Sequence, residues 1–227
     1  MKILAIDTAT PSCSVALVDD EKLLAETTVV SRQTHAAHLV RMIEQTVSTV
    51  GLKLADLDGF AVTRGPGSFT GLRIGISTIK GFSLALDRPM VGVSTLEALA
   101  LQCGPTSRLI CSMVDARKGE IFYGGYRLSN RGLAAVDDEQ VLAPRDLVRK
   151  IVPPCVAIGS GAILYHDLLV ETFGAGIELG PSGHHILRAS SVAELGYRRL
   201  RSGDHDDAAA FVPTYIRKSD AELKRKK

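Results

Sequence analysis

Asp7 ends the first apolar run of the chain, Lys2-Ile3-Leu4-Ala5-Ile6, and is followed at once by Thr8, Thr10 and Ser12. A carboxylate at a strand end beside a hydroxyl-rich hairpin can hold a metal–phosphate group. The same residues can also form an Asx-type turn that satisfies its own backbone, and the residues alone favour the turn. A second aspartate opens Asp115-Ala116-Arg117-Lys118-Gly119. If the two turns belong to related lobes, Asp7 and Asp115 would meet across a cleft, as in a nucleotide site. His35 and His38 stand three apart and share a helix face. Only Glu44 is near enough in sequence to join them, so they read as surface or interface histidines and no metal is expected. Cys13, Cys103, Cys111 and Cys155 include no Cys-x-x-Cys pair, which argues against zinc or thioredoxin chemistry and for small buried apolar roles. Neither a Gly-x-Ser-x-Gly elbow nor a His-Glu-x-x-His pair occurs. Ser160 lies in Gly159-Ser160-Gly161 without the elbow spacing, and His166, His184, His185 and His205 have no identifiable partners. The reading assigns no catalytic residue and no cofactor. Asp7, Thr8, Thr10 and Asp115 are left as candidates for a vestigial phosphate site.

The strongest local pattern is Gly65-Pro66-Gly67-Ser68-Phe69-Thr70-Gly71-Leu72-Arg73-Ile74-Gly75. It follows the apolar run Phe60-Ala61-Val62 and precedes a segment whose one charge over residues 74–86 is Lys80, so it reads as strand, glycine turn, helix. A helix start favours an anion. Yet the stretch lacks the lysine of a Walker A loop and misplaces the third glycine of a dinucleotide fingerprint. A structural turn that brings a helix close to a sheet is the preferred reading. In the helix, Leu72, Ile76, Ile79, Phe82 or Ser83, and Leu86 form one stripe. The remaining positions are apolar or small. A helix apolar or small all round needs cover on both sides. That cover is either the rest of the chain or a docked partner helix.

Elements to position these residues are legible along the chain. Strands are expected over residues 2–6, 14–18, 23–30, 60–62 and 90–93, with a Thr34-capped helix to about Val50 whose stripe is Leu39, Met42, Ile43, Val47 and Val50. Ser94-Thr95-Leu96-Glu97 is a capping box opening a helix to about Cys103. The Gly104-Pro105 break suggests a lobe boundary, giving lobes 1–104 and 105–227. The second lobe is expected to hold strands over 109–114, 120–127 and 132–141, a helix from Pro144, a strand–turn–helix over 156–173, and a helix capped by Ser191 and Glu194. The whole reads as α/β, mixed sheets with helices on their faces. Of the 227 residues, 45% are hydrophobic, enough for a core. The net charge of +2 is too small to argue for nucleic acid. The start is no signal peptide and no run is long enough to span a membrane, and scattered cysteines fit a reducing, cytoplasmic setting. Lys224-Arg225-Lys226-Lys227 is a basic tail that could at most assist RNA contact.

Taken together, Ile6-Asp7-Thr8-Ala9-Thr10, His35, the Gly65–Gly75 stretch, Asp115-Ala116-Arg117-Lys118-Gly119-Glu120 and Pro213-Thr214-Tyr215-Ile216-Arg217 resemble the TsaB (YeaZ) family of bacterial tRNA threonylcarbamoyladenosine biosynthesis proteins. The resemblance spans nearly the whole chain and is loose between Leu128 and Val212. It implies the actin-like ATPase superfamily (ASKHA) fold, two lobes each built on a ribonuclease-H-like sheet. It also implies a non-catalytic subunit that pairs with a TsaD-like paralogue, joins a TsaE-like ATPase through that pair, meets tRNA indirectly and forms homodimers through the same surface. The catalytic relatives hold a metal with His-x-x-x-His; the spacing here is His35-x-x-His38, so no ligand carries over, and no residue supports protease activity. Under the resemblance, the expected interface is His35, His38, Leu39, Met42, Ile43, Leu72, Gly75, Ile76, Ile79 and Phe82. The competing reading is an ATP-binding small-molecule kinase or ATPase that uses Asp7 and Asp115.

Overall fold

The computed structural model describes residues 1–31, 33–130 and 132–217. The basic tail, residues 224–227, lies outside the described residues. The chain forms two compact units. One comprises Met1–Thr95 and Leu187–Thr214; the other is Leu96–Ile186, to which the chain returns at Tyr215.

The first unit begins with an antiparallel meander, β1 (Lys2–Asp7), β2 (Ser12–Asp19) and β3 (Lys22–Val30). Asp20 turns the β2–β3 hairpin at φ 53°. Helix α1 (Leu39–Thr49), strand β4 (Gly59–Gly65), helix α2 (Phe69–Leu86) and strand β5 (Met90–Ser94) follow. The sheet order is β3-β2-β1-β4-β5, with β4 parallel to β1 and β5 parallel to β4. This is the ribonuclease-H-like arrangement. The helix before β4 is shorter than the sequence suggests: residues 35–37 make a separate 3-10 turn and Thr34 makes no side-chain cap.

In the second unit, α3 (Thr95–Gln102) leads to β6 (Leu109–Arg117), β7 (Glu120–Ser129), β8 (Gly132–Ala135) and β9 (Gln140–Leu142). The single strand expected over 132–141 is thus two, both paired with β7. Helix α4 (Pro144–Lys150) opens with Pro144 in its first turn, where its missing N–H costs nothing. After β10 (Cys155–Ile158), the expected single helix breaks at Tyr165 into α5 (Ser160–Leu164) and α6 (His166–Phe173). Strand β11 (Ile177–Leu179) has no counterpart in the sequence reading; at three residues it has no periodicity to read. The order β11-β10-β6-β7-β8, taken from its other end, repeats that of the first sheet.

The last helix, α7 (Ala189–Arg201), corrects the boundary expected at Gly104. It packs on β1, β2, β4 and β5 of the first sheet. The reason lies in a row of small side chains: Ala5 is paired with Ala16 on one side and Ala61 on the other, and all three are fully buried. Such a row leaves a trough that only a closely approaching helix fills. Gly196 permits that approach, since a Cβ there would lie 2.5 Å from Ala61 Cβ. The capping box expected at Ser191 and Glu194 is not used. Instead Ser14 Oγ accepts from the Ala189 amide at 2.9 Å and the buried Glu26 carboxylate accepts from the Ser190 amide at 2.8 Å. Glu194 pairs with Arg198 one turn on. The helix start is thus capped by β2 and β3, which fixes it to the sheet it covers.

This packing makes two outcomes testable by thermal unfolding followed with near-ultraviolet circular dichroism. Gly196→Leu should cost about 1–3 kcal/mol by overpacking. A fragment of residues 1–104, lacking α7, should show no cooperative transition at all.

Candidate functional site

The residues with the most chemistry-bearing pattern converge where β1 ends and α2 begins. Asp7 is fully buried. Its Oδ1 accepts from the Ala9 amide at 2.9 Å and from Thr63 Oγ1 at 2.8 Å, and its Oδ2 accepts from Thr10 Oγ1 at 2.9 Å. Thr10 Oγ1 also lies 2.8 Å from Ser12 Oγ. Burial pushes the Asp7 carboxyl above its ordinary value, against the opposing pull of these bonds and of His35. The carboxylate is therefore the internal tie of its own turn, the Asx-type reading.

The glycine loop sits directly on that turn. The Ser68 amide donates to Ala9 O at 2.7 Å, and Thr8 Oγ1 donates to Gly71 O at 2.8 Å. Ser68 caps α2 by accepting from the Gly71 amide at 3.2 Å, and the Leu72 amide donates to Ser68 O at 2.8 Å. A Cβ at Gly67 would strike Ala9 O, one at Gly71 would strike Thr8 O, and one at Gly75 would strike Thr8 Oγ1. The glycines are there so that a helix can approach a turn. The amides of Ser68 and Gly71 already bind the chain's own oxygens, and that of Leu72 makes the ordinary bond of a helix interior. Thr8 and Thr10 are spent in the same contacts. In the second unit, Asp115 closes its own turn: Oδ1 accepts from the Arg117 amide at 2.7 Å. Arg217 of the closing motif bonds Ala116 O and approaches Glu120 at 3.3 Å, so two of the separated sequence motifs meet there.

The expected interface residues are placed differently from the expectation. Leu39, Met42, Ile43, Leu72, Ile76 and Ile79 are each at most 4% exposed and belong to the core between the first sheet and its helices. Gly75 is buried on Thr8, and Phe82 is half-buried, stacked 6.0 Å from Phe60. All of this stripe but Phe82 is buried within its own unit. The large apolar side chains Leu72, Ile76 and Ile79 fill the core, while the outward face combines small residues with Leu84 and Arg73. The outward face is Thr70, Arg73, Ser77, Gly81, Leu84 and Ala85, with Leu84 63% exposed. Arg73 lies over the Phe69 ring at 4.0 Å. Lys80 turns away, its Nζ donating to Ala209 O and Phe211 O at 3.0 and 3.1 Å. Sequence reasoning saw this side as apolar or small but placed the expected interface on the opposite stripe, because nothing in the spacing says which side turns to the sheet.

His35 and His38 are half-buried, with their rings edge to face at 6.1 Å. Sequence spacing gave them no third partner, but the fold supplies one. Cys13 Sγ and one nitrogen of each histidine lie within 4.8 Å of one another. Burial, and secondarily the Asp7 charge, pushes the Cys13 thiol up to about 12.

Comparison with known proteins follows this geometry. The family model described as "TsaD: tRNA N6-adenosine threonylcarbamoyltransferase" matches residues 23–225. The tRNA threonylcarbamoyladenosine biosynthesis protein TsaB of Escherichia coli K12 is 36% identical over 97% of this chain and 96% of its own. The solved structure of YeaZ from Pseudomonas aeruginosa superposes with TM-score 0.80 at 30% identity, covering 94% of this chain and 99% of that one. The activator of the 2-hydroxyisocaproyl-CoA dehydratase from Clostridium difficile, solved with bound ADPNP, is similar in fold alone, with TM-score 0.54 at 11% identity over 89% of this chain and 97% of its own. The fold is thus of the actin-like ATPase (ASKHA) type. The chain belongs to the TsaD family, in its TsaB (YeaZ) branch.

The site yields a signed pH test. A raised Asp7 pKa means the folded state holds that proton more tightly than the unfolded state does. The group's contribution is then full below its ordinary value of 3.8 and lost as pH rises through the folded value. Asp7→Asn removes that loss, so its stability relative to the parent should improve as pH rises from about 4. Asp7→Ala removes the acceptor of the Ala9 amide, Thr10 and Thr63, of which Thr10 alone has Ser12 Oγ in reach, and should cost about 1–3 kcal/mol at any pH. Urea unfolding of all three proteins at several pH values measures both effects.

Proposed function

We propose that this chain, as a member of the TsaB branch, serves tRNA threonylcarbamoyladenosine synthesis as a non-catalytic cytoplasmic scaffold. It pairs with a TsaD-like paralogue through the outward face of α2, and the TsaE-like ATPase and the tRNA join through that pair. Self-association of the chain uses the same face. The observation that carries this reading is the composition of that face. Ser77, Gly81, Leu84 and Ala85 are exposed, uncharged and mostly small. Small residues let a second helix approach closely, since the interaxial distance follows the side chains at the contact. Lys80, which would otherwise put an ammonium there, is bonded back to its own chain. An interface centre depleted in charge is the expected pattern. A non-catalytic role is consistent with a glycine loop whose Ser68 and Gly71 amides bind the chain's own oxygens.

The runner-up, an ATP-binding kinase or ATPase, draws on the fold shared with nucleotide-binding proteins, and fold alone does not set function. Among the described residues, no helix is long and apolar enough to cross a membrane.

Co-purification with the TsaD-like protein of the same cell, combined with melting temperatures, tests the scaffold reading. Gly81→Arg with Leu84→Glu should leave melting unchanged, weaken pairing at least about tenfold and lower the threonylcarbamoyladenosine content of tRNA. Ile79→Glu should unfold the first unit, because it buries an unpaired charge in the core. Retained pairing in the double variant overturns the assigned face. Micromolar ATP–magnesium binding by calorimetry, abolished in Asp7→Ala, would favour the kinase reading.

A further inference from the structure

Three polar side chains outside the Asp7–Thr10 turn and the α2 face come together on one side of the first sheet. Cys13 lies near the start of β2, where the hairpin register pairs it with Val29 of β3. His35 opens the 3-10 turn after β3, and His38 immediately precedes α1. The chain thus leaves β3 beside Cys13 and delivers both imidazoles to it. The thiol sulfur and one nitrogen of each ring lie within 4.8 Å of one another.

The tautomer of the neutral His35 ring is fixed by its partner. His35 Nε2 lies 2.9 Å from Thr10 O, and a carbonyl can only accept, so in the neutral ring Nε2 carries the hydrogen and Nδ1 presents its lone pair. Among the described residues, that buried Nδ1 has no hydrogen-bond partner, and neither has His38 Nε2. Buried nitrogens without partners are uncommon and costly. With one nitrogen of each ring near the thiol sulfur, the cluster makes a donor set suited to a Lewis acid. The His35–Thr10 bond is moreover the outer contact that orients metal-bound histidines, a ring N–H donated to a backbone carbonyl.

We propose that Cys13, His35 Nδ1 and His38 Nε2 form a three-ligand site for a borderline divalent metal ion of the zinc class, with a fourth position left for water or an external donor. One thiolate and two imidazoles suit zinc and exclude magnesium or calcium, which require oxygen ligands. Bond lengths of about 2.0–2.3 Å place tetrahedral donors roughly 3.3–3.8 Å apart. Closing the present arrangement therefore needs side-chain movement on the order of 1 Å. On loading, the metal replaces the proton of the Cys13 S–H, which leaves to solvent. Both imidazoles bind neutral and no oxidation state changes. The ion would then clip the segment between β3 and α1 to β2.

Cobalt(II) titration of the chelator-treated full-length protein tests this, since a thiolate on tetrahedral cobalt gives a near-ultraviolet charge-transfer band. The expected result is one equivalent bound with that band, displaced by zinc, and a melting temperature raised by zinc. Cys13→Ser should abolish the band, and His38→Gln should weaken binding by at least about tenfold. Both variants should melt like the parent in chelator. His38→Gln, at a half-exposed position, keeps the test valid if Cys13→Ser fails to fold. Binding without the band, or with equal affinity in parent and His38→Gln, identifies adventitious surface binding and overturns the site.

Discussion

The contact between the Asp7–Thr10 turn and the start of α2 is the constraint on which the first unit depends. It is a contact between backbones, and three glycines make it possible because any side chain at Gly67, Gly71 or Gly75 would occupy the space of Ala9 or Thr8. The distance from helix to sheet is set there. The large side chains of α2 then reach the core at the right depth, and Leu72, Ile76 and Ile79 can be fully covered. The buried carboxylate is part of the same device. Asp7 spends its oxygens on Ala9, Thr10 and Thr63, so the turn keeps its shape under the helix.

Much of this was legible in the residues. Glycines at 65, 67, 71 and 75 around one proline announce a close approach, and the failed match to phosphate-loop spacing pointed to packing as its purpose. Alternation and apolar runs gave most strands of both sheets and the helices between them. The faces were less legible. A helix whose residues are apolar or small all round gives no polarity signal for its orientation, so the stripe that reads as a docking surface is the core. Volume is a partial signal: Leu72, Ile76 and Ile79 face in and Ser77, Gly81 and Ala85 face out, but so does Leu84.

Two further features escaped sequence reading because they depend on partners distant in the chain. The cap of α7 comes from Ser14 and Glu26, more than 160 positions upstream, so a local Ser-x-x-Glu pattern at Ser191 misled. The approach of Cys13 to His35 and His38 follows from the β2–β3 register, which returns the chain to Cys13 before the histidines begin. Spacing along the chain sees twenty-odd residues there; the hairpin makes them neighbours.

The return of α7 to the first sheet also bears on synthesis. A ribosome releases Met1–Thr95 early, but the segment Leu187–Thr214 that completes the same unit appears only after Leu96–Ile186 has been made. At about 5–20 residues per second that interval lasts roughly 5–20 s. Throughout it, the alanine trough of Ala5, Ala16 and Ala61 is wet on the nascent chain. The part translated first is therefore completed only after most of the second unit has been made.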